Sequence, residues 1–404
     1  MRALLFTGKG GVGKTTAAAA TAALAASRGC KTLVLSTDGA HSLADAFGVP
    51  LGPEPTEIDP GLALFGQQVD TQGRFERAWR DVQSWLVDLL ARQGVDPLEA
   101  EELTVLPGAE EVLALLEVRD QLASGRWDLV VVDCAPTAET LRLLALPQAL
   151  QWWMSRVWPA ERRMLRSLRP LLGRVSSAPV PGERVLDAVE RLHAELAEVH
   201  AVLTDPTVTG VRLVLTPEAV VVAEARRTLT SLALYGYRVD GVVANRVFPA
   251  AGADAWRSGW VAAQQARLAE IDESFSGLPV RRAAYRPAEP VGLAALTAWG
   301  EDVYGEDDVT AVAPPAGPDP VSVEQTTDGF ALVLALPLAE RGDVDLSRRG
   351  DELVVTVGGR RRVLSLPSVL RRCLVEGAGL REGRLVVRFA PDPDLWPRGG
   401  WGLP

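Results

Sequence analysis

Lysine is nearly absent from this chain of 404 residues. Of its 42 cationic residues only Lys9, Lys14 and Lys31 are lysine, and the rest are arginine. Arginine is the default cation here, so each surviving lysine marks a place to examine. Cysteine is equally scarce: Cys30, Cys134 and Cys373 stand far apart, with no CxxC pair and no histidines at metal-ligand spacing. That excludes a disulfide framework or a structural zinc within one chain, and it suits a reducing cytoplasm. No apolar run reaches the ~18 residues that span a bilayer. Residues 1–7 run straight into glycines without a signal-peptide pattern, so a soluble chain is expected. The net charge of −10 argues against a general nucleic-acid binder. What is present is ordinary: 47% apolar and 23% charged residues, in a length that holds two or three domains.

Residues 2–7 read as a buried strand that ends in glycines at 8, 10, 11 and 13. An alanine-rich run over 15–27 follows, helical by propensity and stopped by Gly29. Further apolar runs at 31–37, 62–69, 128–133, 211–216 and 239–245 alternate with helical patterns. Several lack polar alternation, as parallel strands covered on both faces do. The fold class is therefore α/β, a doubly wound parallel sheet. Residues 138–205 read as helix upon helix, a helical insertion. Residues 306–319 are acidic and then proline-rich, a linker. Beyond it the style changes to short alternating runs at 330–336, 352–357, 361–366 and 384–389, with turns at Gly358-Gly359 and Glu382-Gly383. That pattern predicts a small all-β sandwich over 320–391, followed by a tail over 392–404.

The strongest motif is Gly8-Lys9-Gly10-Gly11-Val12-Gly13-Lys14-Thr15, followed by Thr16. It fits G-x-x-x-x-G-K-[ST] between a strand and a helix. Such glycines let backbone N–H groups turn inward around phosphates, and the following helix points its positive end at them. Lys14 then pairs with the β and γ oxygens, and the Thr15 hydroxyl is placed to ligate Mg²⁺. The site is predicted to take Mg²⁺ and ATP. Lys9 adds a second cation to the turn. It can serve its own site, reach a neighbouring subunit's phosphates as an arginine finger does, or simply be an exposed loop lysine. Lys31, at the start of a strand, receives no role.

This loop resembles the deviant Walker A of the MinD/ArsA/nitrogenase-iron-protein group. Residues 35–47 (Leu-Ser-Thr-Asp-Gly-Ala-His-Ser-Leu-Ala-Asp-Ala-Phe) resemble switch I of ArsA and the GET-pathway ATPases, which target tail-anchored membrane proteins. Residues 132–147 resemble their switch II. Shorter matches at 215–218, 243–249 and 289–293 extend the resemblance over 1–305. It implies a P-loop ATPase acting as a homodimer, with Lys9 working across the dimer. It further implies that Asp38 orients the attacking water, that Asp133 holds Mg²⁺ through water, and that Asn245 hydrogen-bonds the adenine. Arg246 falls in the same segment, and the stretch around Glu289 closes the base pocket. A carboxylate at a strand's C-terminal edge is where open α/β sheets place ligands, and Asp38 also reads as an N-cap for a helix near His41. The chain departs from the family at Gly39, where proline is usual, and at Ala138-Glu139, where Gly-His is common. The cysteines that bind arsenite, the CxxC that bridges a dimer and a second nucleotide-binding half are absent.

Within the insertion, Trp152, Trp153, Met154, Trp158 and Met164 cluster with six arginines against the single acid Glu161 over 148–174. Methionine and aromatic residues on helices suit apolar recognition, and the arginines suit an anionic membrane surface, although a plain amphipathic helix has the same look. In GET-type relatives the corresponding region holds a client's transmembrane helix. The implied partners are a second copy of the chain, a hydrophobic client helix or membrane protein, and peripheral contact with a membrane, but not nucleic acid. The implied location is the cytoplasm with transient membrane association.

In the C-terminal region, residues 378–385 (Ala-Gly-Leu-Arg-Glu-Gly-Arg-Leu) resemble the Ala-x-x-x-x-Gly-x-Leu signature of small heat-shock (α-crystallin) domains. No catalytic cluster stands out there, and a packing module that braces the ATPase is the plain alternative. The combined expectation is a dimeric Mg-ATPase whose nucleotide state controls a hydrophobic client. The rivals are an arsenite-efflux ATPase, a MinD/ParA-like positioning switch and a scaffold that no longer turns over.

Overall fold

The computed structural model describes residues 1–38, 42–69, 109–135, 137, 145, 183–311 and 320–396. The aromatic and methionine cluster at 152–164, the switch positions 39–41 and 138–139, the proline-rich half of the linker and residues 397–404 lie outside them. So does most of the expected insertion.

The core is a sheet whose strands are β1 (Arg2–Thr7), β2 (Thr32–Ser36), β3 (Thr56–Asp59), β4 (Leu64–Gln68), β5 (Leu129–Asp133), β6 (Thr209–Leu215), β7 (Val239–Val247) and β8 (Val280–Ala284). Their order is β3-β4-β2-β5-β1-β6-β7-β8. Strands β1, β2, β5 and β6 are buried along almost their whole length, which is why their sequences run apolar without alternation. The sheet is mixed rather than purely parallel, because edge strand β3 runs antiparallel to β4. The cause is local. Only residues 60–63 separate β3 from β4, too few for a crossover, and Ala63 takes a positive φ of 49° to close the hairpin. The expected strand over 62–69 is therefore β4 alone, entered through that turn.

Helices flank the sheet: α1 (Lys14–Ser27), α2 (Ser42–Phe47), α3 (Ala109–Ala123), α4 (Glu183–Thr204), α5 (Ala219–Tyr235), α6 (Ala255–Ser274) and α7 (Leu293–Tyr304). Every residue of α1 from Ala17 to Ala26 is buried. Its alanines let α7 approach so closely that a Cβ at Gly300 would lie 2.9 Å from the Ala20 carbonyl oxygen. Helix α4 is the described part of the expected insertion. Beneath β6, the buried Arg212 pairs with Asp240 at 3.7 Å and donates to the Tyr304 hydroxyl at 3.2 Å, so its charge is compensated inside the fold.

The C-terminal region is a β-sandwich. One sheet orders β14 (Cys373–Arg381), β15 (Arg384–Pro391), β10 (Gly329–Ala335) and β9 (Val321–Thr326); the other orders β11 (Val344–Arg349), β12 (Glu352–Val357) and β13 (Arg360–Ser365). All pairs are antiparallel. Leu332, Leu334, Leu353, Val355, Val387 and Phe389 fill the space between the sheets. The short helix α8 (Ser368–Arg371) closes one end. Both anticipated turns are present, with Gly358, Gly359, Glu382 and Gly383 all at positive φ, as tight hairpins require.

Candidate nucleotide site

The phosphate loop leaves β1 at its C-terminal end. A Cβ on Gly8 would lie 2.1 Å from the Val214 carbonyl oxygen, so the first glycine lets the loop pass tightly over β6. Gly13 caps α1 in the left-handed region at φ 91°, with no side chain capping the helix. The first N–H groups of α1 are thus left for an anion, which is the physical basis of phosphate binding at a helix N-terminus. Lys14 is buried, with Nζ 3.4 Å from the Lys9 carbonyl oxygen, so its ammonium bridges the loop's concave side. Lys9 points elsewhere: its Nζ lies 3.4 Å from Glu224 Oε2 on α5.

Two carboxylates complete the edge. Asp133 ends β5 opposite Ser36 of β2 and is fully buried. Burial pushes its carboxyl up to about 7, against the opposing pull of the Thr15 hydroxyl and the Lys14 ammonium; the nearby Asp38 raises it further. Asp133 Oδ2 accepts from the Ser36 hydroxyl at 3.5 Å, while Oδ1 is buried without a hydrogen-bond partner. An unpaired buried carboxylate oxygen calls for a cation. Thr15, whose hydroxyl lies 3.1 Å from Ser42 Oγ, supplies the second hard oxygen. Thr15 and Asp133 therefore fit a Mg²⁺ ion, which prefers few protein oxygens and keeps its waters. Asp38 precedes residues 39–41, so its reading as a helix cap lies outside the described residues. Its backbone N–H donates to Ser36 Oγ at 3.2 Å and its carbonyl accepts from Gln68 Nε2 at 2.7 Å, which holds the half-buried residue at the site's edge.

Behind Gly13 lies a crevice of about 360 Å³, lined among others by Gly13, Thr16, Asn245, Arg246, Tyr285 and Glu289. The residues expected around the base thus converge, although they come from three separate segments. Asn245 lines this crevice, and its amide also makes two contacts within the protein. Its Nδ2 donates to the Val12 carbonyl at 2.9 Å and its Oδ1 accepts from the Arg246 N–H at 2.9 Å, so both ends of the amide serve the protein. The residue braces the phosphate loop and walls the crevice. Glu289 and Arg246 stand exposed at its mouth.

Sequence reasoning missed Tyr285 and Glu224. Tyr285 stacks on Phe248 with centroids 5.0 Å apart and lies just past β8, a strand without an apolar run. Glu224 sits in the middle of a helix, and nothing in its local sequence marks it.

Comparison with known proteins agrees with this architecture. A family model described as anion-transporting ATPase matches residues 1–305, and one described as an HSP20-like domain found in ArsA matches 327–389. An uncharacterized protein of Streptomyces coelicolor is 44% identical over 408 residues, covering 99% of this chain and 100% of its own length. A protein of Chlorobaculum tepidum, named as an arsenical pump-driving ATPase, is 38% identical over 91% of this chain and 90% of its own. Another so named, from Aquifex aeolicus, is 32% identical over 96% of this chain and 99% of its own.

Proposed function

The chain belongs to the anion-transporting ATPase family and is an ATP hydrolase, and we propose that it works as a Mg²⁺-dependent homodimer whose nucleotide state governs its hold on a hydrophobic client. The observation that carries the dimer is the divergence of the two lysines. Lys14 closes its own loop, while Lys9 leaves that loop for Glu224 with its side chain 38% exposed. A second ammonium that its own phosphate loop does not use can serve a neighbour's phosphates once it leaves Glu224. In this reading Lys14 and the α1 N-terminus bind the phosphates, and Asp38 orients the water. Thr15 and Asp133 hold the ion, which when bound neutralises charge on the transferring phosphoryl group. Turnover per chain should rise with chain concentration, and Lys9→Ala should abolish it; unchanged turnover in a demonstrably monomeric sample rejects the dimer. The client reading draws on the tryptophan, methionine and arginine segment at 148–174. An Asp38→Asn variant, which should hold ATP unhydrolysed, tests it. Co-purifying proteins with one C-terminal hydrophobic helix support targeting, and unrelated unfolded chains support a general chaperone.

The names of the relatives raise a second reading, an ATPase that drives an arsenical pump. The cysteines do not favour it. Cys30 precedes the start of β2 and Cys134 follows the end of β5, opposite ends of neighbouring parallel strands and roughly 20 Å apart at 3.3 Å per residue. Cys373 lies buried in the β-sandwich. Flat ATPase activity on adding arsenite is expected.

A further inference from the structure

Helix α5 makes two connections at once. Glu224 of α5 holds the Lys9 ammonium at 3.4 Å. Ten residues further along, about 15 Å of helix, Leu234 is fully buried in the core of the β-sandwich rather than that of the ATPase region. Thr230 Oγ1 donates to the Pro337 carbonyl at 2.6 Å, and Arg362 of β13 donates to the Leu234 carbonyl. A guanidinium on the last carbonyls of a helix sits where the helix dipole favours a cation. The sandwich thus adds tethers to the C-terminal half of a helix that the ATPase core packs through Val222, Leu229 and Leu232, and whose N-terminal half restrains Lys9. A crevice of about 720 Å³ runs between them, with Glu224 on one wall and Leu338, Asp343 and Arg360 on the other.

We propose that Glu224 is a positioning residue that draws Lys9 away from the dimer-facing position in the single chain, and that the β-sandwich sets this restraint by fixing α5. The inference rests on the reading of Lys9 as a residue that acts on a partner's phosphates. The pair is partly exposed, 38% for Lys9 and 29% for Glu224, so it is weak by nature. That suits a restraint which a partner's polyanionic phosphates must overcome. It also gives the β-sandwich, which carries no catalytic cluster, a physical route to the nucleotide site.

The test measures turnover per chain against concentration for full-length variants. Glu224→Gln should lower the half-activating concentration about two- to five-fold, the range open to an exposed ion pair, with the plateau turnover and the KM for ATP changing less than that. Glu224→Asp, which keeps the charge, should restore much of the wild-type curve. Arg362→Met should shift the curve in the same direction as Glu224→Gln, yet add nothing when combined with it, because both act through one contact. If Arg362→Met unfolds the sandwich, Thr230→Val removes the other tether and replaces it in the cycle. A wild-type curve for Glu224→Gln, or full additivity in the double variant, overturns the proposal. The underlying reading fails separately: Lys9→Ala turning over like the wild type rejects the trans-acting lysine, whereas an inactive Lys9→Ala beside an unshifted Glu224→Gln rejects only the restraint.

Discussion

Asn245 Nδ2 donates to the Val12 carbonyl oxygen at 2.9 Å and so ties the end of β7 to the middle of the phosphate loop. The loop is held from behind by a side chain more than two hundred residues away in sequence. Asn245→Ala should orphan both the Val12 carbonyl and the Arg246 N–H, costing about 1–3 kcal/mol of stability. Asn245→Asp should be worse, since it sets a carboxylate oxygen against that carbonyl. Thermal melting reads the first effect, and the KM for ATP should rise more than kcat falls in both variants.

Asp133 carries an opposite balance of stability and function. Its carboxyl is raised to about 7 by burial, and Oδ1 has no partner. Without ligands, Asp133→Asn should therefore raise the melting temperature by several degrees, because a costly buried charge is removed. The same change should lower ATP turnover at least a hundred-fold and remove any stabilisation by Mg²⁺. Calorimetry with and without Mg²⁺ checks both halves.

Lys31, the third lysine, has a structural place. Its ammonium lies 5.3 Å from the Trp127 ring centroid and 5.9 Å from that of Phe65, and these rings pack against each other at 5.0 Å. Lys31→Ala should cost about 0.5–1 kcal/mol. Lys31→Arg should be nearly neutral, since a guanidinium also stacks on aromatic faces. Arginine cannot replace Lys14 in the same way, so the two substitutions separate a packing lysine from a phosphate lysine.

His200 on α4 makes the fold sensitive to acid. Burial, and then the charge of Arg362, lowers its imidazole to about 4 from an ordinary value near 6.5. The unfolded chain takes up this proton near pH 6.5 and the folded chain only near 4. The stability it contributes is thus complete above pH 6.5, falls as pH drops toward 4 and is level below. His200→Gln, which keeps a partner for the Tyr237 hydroxyl at 3.4 Å, should flatten that part of the wild-type stability profile. The difference between the two proteins in urea unfolding at pH 4.5 and 7 is the readout.

What the sequence disclosed follows from where each strand lies. The interior strands β1, β2, β4, β5, β6, β7, β10, β12 and β15 all fell within runs apolar enough to read. The unread strands β3, β8, β9, β11 and β14 are all edges of their sheets. These edge strands are half solvated and carry residues such as Arg281, Glu324 and Arg348, so they have no apolar run to show, whereas the edge strand β13 was legible from its alternation over 361–366. The site divides the same way. The phosphate loop is contiguous in sequence and was legible outright. Asn245's tie to Val12 and Glu224's hold on Lys9 are created by folding, and no local pattern announces them.

Two inactive chains, mixed, test whether Lys9 acts on the partner's nucleotide. Lys9→Ala keeps an intact site but lacks the lysine; Asp133→Asn keeps the lysine but has a dead site. In an equal mixture half the dimers are mixed, and each has one complete site. Mixing the two should restore about a quarter of wild-type turnover. A mixture no more active than the sum of its two components would contradict it.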